Sequence, residues 1–231
     1  SIGQGFGVRV VQPSATSVLL NRVSSGVASS IAGSLSANGR VFIVNPSGVM
    51  FGSGSQVNVG GLVASTLALS TSDAAFMAGT ERFEFETFRS SAEVSNNGTL
   101  TVSPGGTVAL IGDSVSNFGR LSAPQGTAAL AAGERVVLDF GGDGLTQVIV
   151  SGAAAEQSAQ INHTGQIDAD GGRVVLRAVG ERAAIYSTGV MRADSMAVRN
   201  GEIVLESRGS DVEGGVLLQG GALYARGQSA G

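Results

Sequence analysis

The sequence predicts an all-β chain wound as a right-handed parallel β-helix, a solenoid with a small helix-and-strand excursion outside its coils. Three observations predict it. Apolar residues alternate with period two in nearly every segment, the period of strands and not the 3.6-residue period of helices. Glycine and small polar residues punctuate the chain every few positions, and 36 of the 231 residues are glycine. From residue 94 a pattern recurs at intervals in the low twenties, a length used by solenoid repeats.

Taken in order, Val8 with Val10, Val18 with Leu20, and the stretches 41–44 and 57–63 read as strands. Residues 72–79 break the rhythm and read as a short helix, with Ser72 as N-cap and Gly79 past its end. Residues 81–88 alternate strongly and read as a strand outside the coils, whose aromatics cover a sheet face that would otherwise be open. The repeat then begins. Val94, Gly98, Leu100 and Val102 set a frame that is met again by Val115, Gly119, Leu121 and Ala123. Ile161, Gly165, Ile167 and Ala169 fit it, as do Ile185, Gly189, Met191 and Ala193. The glycines stand 21, 46 and 24 residues apart, so a degenerate coil is expected in the middle interval at Phe140, Gly144 and Val148. A second strand of the form Gly-x-apolar-apolar-Leu follows each frame, at 106–110, 126–130, 172–176 and 201–205. Glycine is expected at the corners, for sharp turns or positive φ. Roughly ten coils are expected, about 45–50 Å long at a strand spacing of about 4.8 Å.

Composition narrows the function. All 14 positive charges are arginine, the net charge is −4, and there is no basic block, which argues against a nucleic-acid partner. No uninterrupted apolar run approaches the roughly 20 residues of a membrane-spanning helix. Cysteine is absent, which excludes disulfides, thiolate metal sites and a cysteine nucleophile, and fits export through an oxidising periplasm. A cytosolic β-rich protein, a β-structured enzyme and an exported surface protein remain.

Residues 31–67 are the most informative stretch, and they contain Asn45-Pro46-Ser47-Gly48. Upstream lie Val11-Gln-Pro-Ser14 and Leu19-Leu-Asn-Arg-Val23. Together these segments resemble the haemagglutination-activity or TPS domain at the N-terminus of two-partner secretion exoproteins of the filamentous-haemagglutinin type. The family signature is Asn-Pro-Asn-Gly, so Ser47 replaces its second asparagine. The family's earlier Asn-Pro-Asn-Leu motif is not visible. Ser1-Ile-Gly3 resembles the end of the family's opening Trp-x-Ser-Phe-x-Ile-Gly segment, so the chain is expected to start slightly inside the domain and to be a fragment of a larger exoprotein. A single domain over 1–231 is expected, with 1–70 as the family core, 71–92 as the excursion and 93–231 as regular coils.

The resemblance implies a secretion signal and folding-nucleation module, not an enzyme, for a large bacterial exoprotein of adhesin type. Such a chain crosses the periplasm unfolded and is bound by POTRA domains of a dedicated outer-membrane β-barrel transporter. It then folds outside the cell or at its surface, without stable membrane insertion, and a surface ligand would be met by chain further downstream. Asn45, Pro46, Ser47 and Gly48 form the implied transporter-recognition motif. Physically they read as a type I turn, with Asn bonding its own backbone ahead, Pro presetting φ and Gly fourth.

The alternative is a stand-alone β-helical protein that binds or cleaves glycans. Asp168 with Asp170, and Glu84 with Glu86, have the two-residue spacing that places both carboxylates on one strand face, as acid–base chemistry requires. Both pairs also read as ordinary solvated charge. His163, the only histidine, reads as surface decoration in an Asn-His-Thr-Gly turn. Gly141-Gly-Asp-Gly144 resembles one unit of a calcium-binding roll but lacks tandem copies. No metal and no cofactor are expected. Asn97-Gly-Thr99 and Asn162-His-Thr164 are sequons, a pattern frequent by chance.

Overall fold

The computed structural model describes residues 1–86, 92–141, 145–151, 159–196, 200–209 and 215–227. Three parallel sheets wind around one core as a right-handed β-helix. The narrow sheet holds Ser29–Ile31, Val49–Phe51, Glu93–Asn96, Ser114–Asn117, Gln160–His163, Ala184–Ser187 and Val216–Gln219. The eight-stranded sheet runs from Gly7–Val10 through Ser34–Ala37, Gln56–Val59, Thr99–Val102, Arg120–Ser122, Gln166–Asp168 and Val190–Arg192 to Ala222–Tyr224. The long sheet holds Val18–Arg22, Arg40–Val44, Gly61–Ser65, Thr107–Gly112, Thr127–Gly133, Arg173–Val179 and Glu202–Arg208. Each coil visits the narrow, eight-stranded and long sheets in turn.

The repeat frame maps onto side-chain columns. Val94, Val115, Ile161 and Ile185 stand in register along the narrow sheet, all buried. Leu100, Leu121, Ile167 and Met191 do the same in the eight-stranded sheet, and Leu110, Leu130, Leu176 and the half-buried Leu205 stand in register in the long one. Like-on-like stacking lets one side-chain volume recur at each rung, so the narrow interior fills without large residues.

The frame glycines obey a different constraint from the expected one. Positive φ occurs at Gly5, Gly26, Gly48, Gly79, Gly105 and Gly171, and Gly98, Gly119, Gly165 and Gly189 are not among them. A Cβ on Gly119 would land on the carbonyl oxygen of Gly98, one on Gly165 on that of Gly119, and one on Gly189 on that of Gly165. These corners need glycine because successive rungs touch backbone to backbone.

Two expectations are corrected. Among the described residues the solenoid has eight rungs, not ten, which gives a length of about 34 Å at a spacing of about 4.8 Å. Among the described residues the 46-residue interval contains no degenerate coil. Gln160–His163 pairs directly with Ser114–Asn117, so the chain between them leaves the stack. It forms an antiparallel hairpin of Arg135–Asp139 and Gln147–Ser151, which places Phe140 and Val148 in an excursion; Gly144 lies outside the described residues.

The first excursion behaves as expected and meets the second. Asp73–Met77 is a five-residue helix; the Ser72 hydroxyl accepts the Ala75 N–H, and Gly79 follows at φ +79°. Arg82–Glu86 then pairs antiparallel with both Ala68–Leu69 and Arg135–Asp139, while Phe88 lies outside the described residues. The resulting four-stranded antiparallel sheet covers the outer face of the long sheet. Phe42, Phe83, Phe85, Ile111, Val136 and Leu138 form a second core between them. Every residue of Thr107–Gly112 and Thr127–Gly133 is therefore buried, and those two strands lack polar alternation for that reason.

Candidate recognition turn at residues 45–48

Asn45-Pro46-Ser47-Gly48 is the corner that carries the chain from Arg40–Val44 in the long sheet to Val49–Phe51 in the narrow one. Asn45 is fully buried, Pro46 is exposed, Ser47 is half-buried and Gly48 is buried. The Asn45 side chain closes the turn, its Oδ1 accepting the Ser47 N–H at 2.9 Å, while the Gly48 N–H donates to the Asn45 carbonyl at 3.0 Å. These are the local bonds that the sequence predicts.

Two further bonds are invisible from the tetrapeptide. Asn45 Nδ2 donates to the Val27 carbonyl and to Ser29 Oγ, each at 2.9 Å, tying the turn to the preceding rung. Backbone bonds lock the same junction: Asn45 N–H to Ser65 O, and Ser29 N–H to Gly48 O, each at 2.9 Å. The buried amide thus uses both ends, which is how a polar group is tolerated there. Gly48 sits at φ +116°, where a side chain is strained, with Ala28 Cβ 3.4 Å from the position a Cβ would take. Ser47 contributes its backbone N–H, so serine closes this turn as asparagine would. Solvent meets Pro46, part of Ser47 and, one strand position on, exposed Met50.

Gln12 has a structural part that its place in a family-like segment does not disclose. Its Nε2 donates to the carbonyls of Ser17 (2.8 Å) and Arg40 (3.1 Å), and its Oε1 accepts the Gly39 N–H at 3.2 Å. Asn38 completes a reciprocal pair, its Oδ1 accepting the Gln12 N–H and its Nδ2 donating to the Gln12 carbonyl. This clamp fixes the start of the strand that ends at Asn45. The Gln-Pro-Ser stretch marked the position; only contacts 26 to 28 residues away give the role.

The carboxylate pairs are engaged elsewhere. Glu84 is paired with Arg135 and Arg82, and the Arg135 hydrogen bond, foremost, holds its carboxyl below the usual range against the opposing effect of burial. Glu86 also meets Arg135 at 3.5 Å. Asp168 is bound by Arg120 at 2.6 Å and by Gln166, and Asp170 Oδ1 accepts the Asp194 N–H. No group of three metal-ligating side chains occurs among the described residues, and Gly142 to Gly144 lie outside them. His163 is not surface decoration: it is fully buried at the end of Gln160–His163, facing inward two residues after Ile161.

The family model of the TPS secretion domain matches residues 1–218. The chain belongs to the TPS secretion domain family. The fold agrees: the crystal structure of the HMW1 secretion domain from Haemophilus influenzae superposes with a TM-score of 0.78 at 28% identity, over 99% of this chain and 65% of that one. Two heme/hemopexin-binding proteins of Haemophilus influenzae are 51% and 48% identical over 65 residues, 28% of this chain and 7% of each relative. The chain therefore spans less than a tenth of the curated relatives it matches. A TPS secretion domain is the secretion module of a two-partner secretion exoprotein and works with an outer-membrane transporter. Among the described residues no helix is long and apolar enough to cross a membrane.

Proposed function

We propose that this TPS domain is the secretion signal and folding nucleus of a large bacterial exoprotein, and that the 45–48 corner is read by POTRA domains of its dedicated transporter. The observation that carries the reading is the division of labour within the tetrapeptide. Asn45 and Gly48 are buried and build the corner, while Pro46 and part of Ser47 are presented outward with Met50 beside them. The two bonds local to the tetrapeptide, Ser47 N–H to Asn45 Oδ1 and Gly48 N–H to Asn45 O, can close the turn before the coils stack, so its tip is available to a partner that meets the chain unfolded. The product is released outside the cell or held at its surface, and an adhesin activity is assigned to the rest of the exoprotein. The likeness to heme/hemopexin-binding proteins covers too little of them to transfer their ligand.

The test is co-expression with the partner transporter, followed by assay of the medium. Ser47→Arg and Met50→Asp alter the presented tip and leave every Asn45 bond in place. Loss of release from chains that still fold as the parent does supports the reading. Release independent of the transporter overturns it.

A further inference from the structure

A line of buried polar side chains runs inside the narrow sheet: Asn96, Asn117, His163 and Ser187 stand in register on successive rungs, each almost completely shielded from solvent. The hydrogen bonds along it have one direction. It starts from a group whose polarity is certain, the Gly98 N–H, which donates to Asn96 Oδ1 at 3.0 Å. Asn96 Nδ2 therefore points at the next rung and must meet an acceptor, Asn117 Oδ1, at 2.8 Å. Asn117 Nδ2 is left to donate to His163 Nδ1 at 3.1 Å. The imidazole must then be neutral, with its lone pair on Nδ1 and its proton on Nε2.

His163 is also the joint to the next rung. Its carbonyl accepts the N–H groups of Thr188 (2.9 Å) and Gly189 (3.1 Å), and its Nε2 edge lies against the Gly189 corner, 2.6 Å from where a Cβ would stand. Among the described residues Nε2 has no hydrogen-bond partner. Among the described residues no charged side chain of the surrounding strands faces the ring. On the same sheet Glu93 and Tyr186 lie at outward positions, in register with strand residues that flank Ile161. Arg120, Asp168 and Arg192 flank the inward Leu121, Ile167 and Met191 of the eight-stranded sheet. Arg173 and Arg177 flank the inward Val174 and Leu176 of the long sheet, with Glu202 and Glu206 paired to them. Asp113 lies before the strand start, at the end away from Asn117. A second proton on the ring would set an Nδ1–H against the Asn117 NH2 and bury a positive charge that no carboxylate faces, a cost that the backbone at Asn117 and Val190 offsets only in part.

We propose that the Asn96–Asn117–His163 ladder is an acid-sensitive latch, which holds Ala184–Ser187 and Val216–Gln219 to the leading rungs only while His163 is neutral. Burial, foremost, lowers the imidazole pKa in the fold, and it outweighs the opposing hydrogen bonds of the Asn117 and Val190 backbone. The unfolded chain thus takes up the proton first as pH falls, and stability drops from the ordinary histidine value downward. Above that value the latch is closed. Chain folding in acidic surroundings keeps its leading rungs, including the 45–48 corner, and leaves the trailing ones loose.

His163 is the only histidine, so its ring signals are unambiguous. Imidazole nitrogen shifts of the 231-residue chain are expected to show the Nε2–H tautomer at about pH 7.5 and protonation below the ordinary value of about 6.5. Hydrogen exchange, corrected for its intrinsic pH dependence, is expected to speed up in Ala184–Ser187 and Val216–Gln219 across the same titration, by about tenfold for each unit by which burial lowers the pKa. Arg40–Val44 keeps its protection. In His163→Asn the amide continues the ladder without a titrating group, and the trailing strands stay protected at about pH 5. An Nδ1–H tautomer at neutral pH, an unshifted titration, or an equal loss of protection in His163→Asn and the parent overturns the proposal.

Discussion

Two kinds of corner turn this chain, and they are built on opposite principles. Gly98, Gly119, Gly165 and Gly189 share one constraint: the rung before occupies the space where a Cβ would go, with a glycine carbonyl nearest at the last three and the Ser55 hydroxyl nearest at Gly98. The corner at 45–48 is made instead by a side chain, the buried Asn45 amide, which closes the turn and reaches back to Val27 and Ser29. A repeated corner carries no address, because a partner that bound one would bind all. The Asn45 corner differs from the glycine corners in construction and holds its tip outward. That difference is what a recognition signal within a repetitive solenoid requires.

Substitutions at the two corners sharpen the contrast. Gly119→Ala forces successive rungs apart and is expected to cost more than about 4 kcal/mol, the range of severe overpacking. Thermal denaturation should show it unfolded or deeply destabilised, and a Tm within a few degrees of the parent would contradict the stacking account. Phe83→Ala tests the lid between the corners, and truncation of a fully buried phenylalanine is expected to cost about 3–5 kcal/mol. Asn45→Ala comes next. It removes the bonds to Val27, Ser29 and Ser47 and leaves the buried Ser29 hydroxyl without that partner, for about 1–3 kcal/mol by denaturant unfolding. Its failure in secretion would therefore report a broken turn. Ser47→Asn restores the family tetrapeptide and is expected to change stability by less than about 0.5 kcal/mol while keeping secretion. The remaining effect is acidic. Arg135 holds Glu84 below its unfolded value, so this pair stabilises the lid above the ordinary carboxylate range and is lost as pH falls through the lowered one. At a partly exposed pair the loss is under about 1 kcal/mol, and Glu84→Gln should remove it from the acid-unfolding curve.

Much of this was legible in the sequence, for a physical reason. A parallel solenoid stacks identical positions, so the frame of Val94, Gly98 and Leu100 repeats in the text as it repeats in space. The hairpin at 135–151 was not legible, because Arg-Val-Val-Leu-Asp and Gln-Val-Ile-Val-Ser alternate like coil strands and period two carries no strand direction. His163 was misplaced by its neighbours: Asn-His-Thr-Gly resembles a turn, yet the frame that points Ile161 inward also points the residue two places on inward. Asn96 and Asn117 follow Val94 and Val115 by the same rule. The turn at 45–48 was legible in its own bonds, but its anchors Val27 and Ser29 lie 18 and 16 residues back and leave no mark in the motif.

The central claim is that the tip of the 45–48 corner, and not merely an intact fold, is what the transporter selects. The most direct measurement is release into the medium of the Ser47→Arg, Met50→Asp chain beside the parent, each co-expressed with the transporter. Both purified chains are first shown to have the same unfolding midpoint. The account predicts a folded-competent variant that stays in the cell. Release at the parent's level would contradict it and leave the corner with a structural role alone.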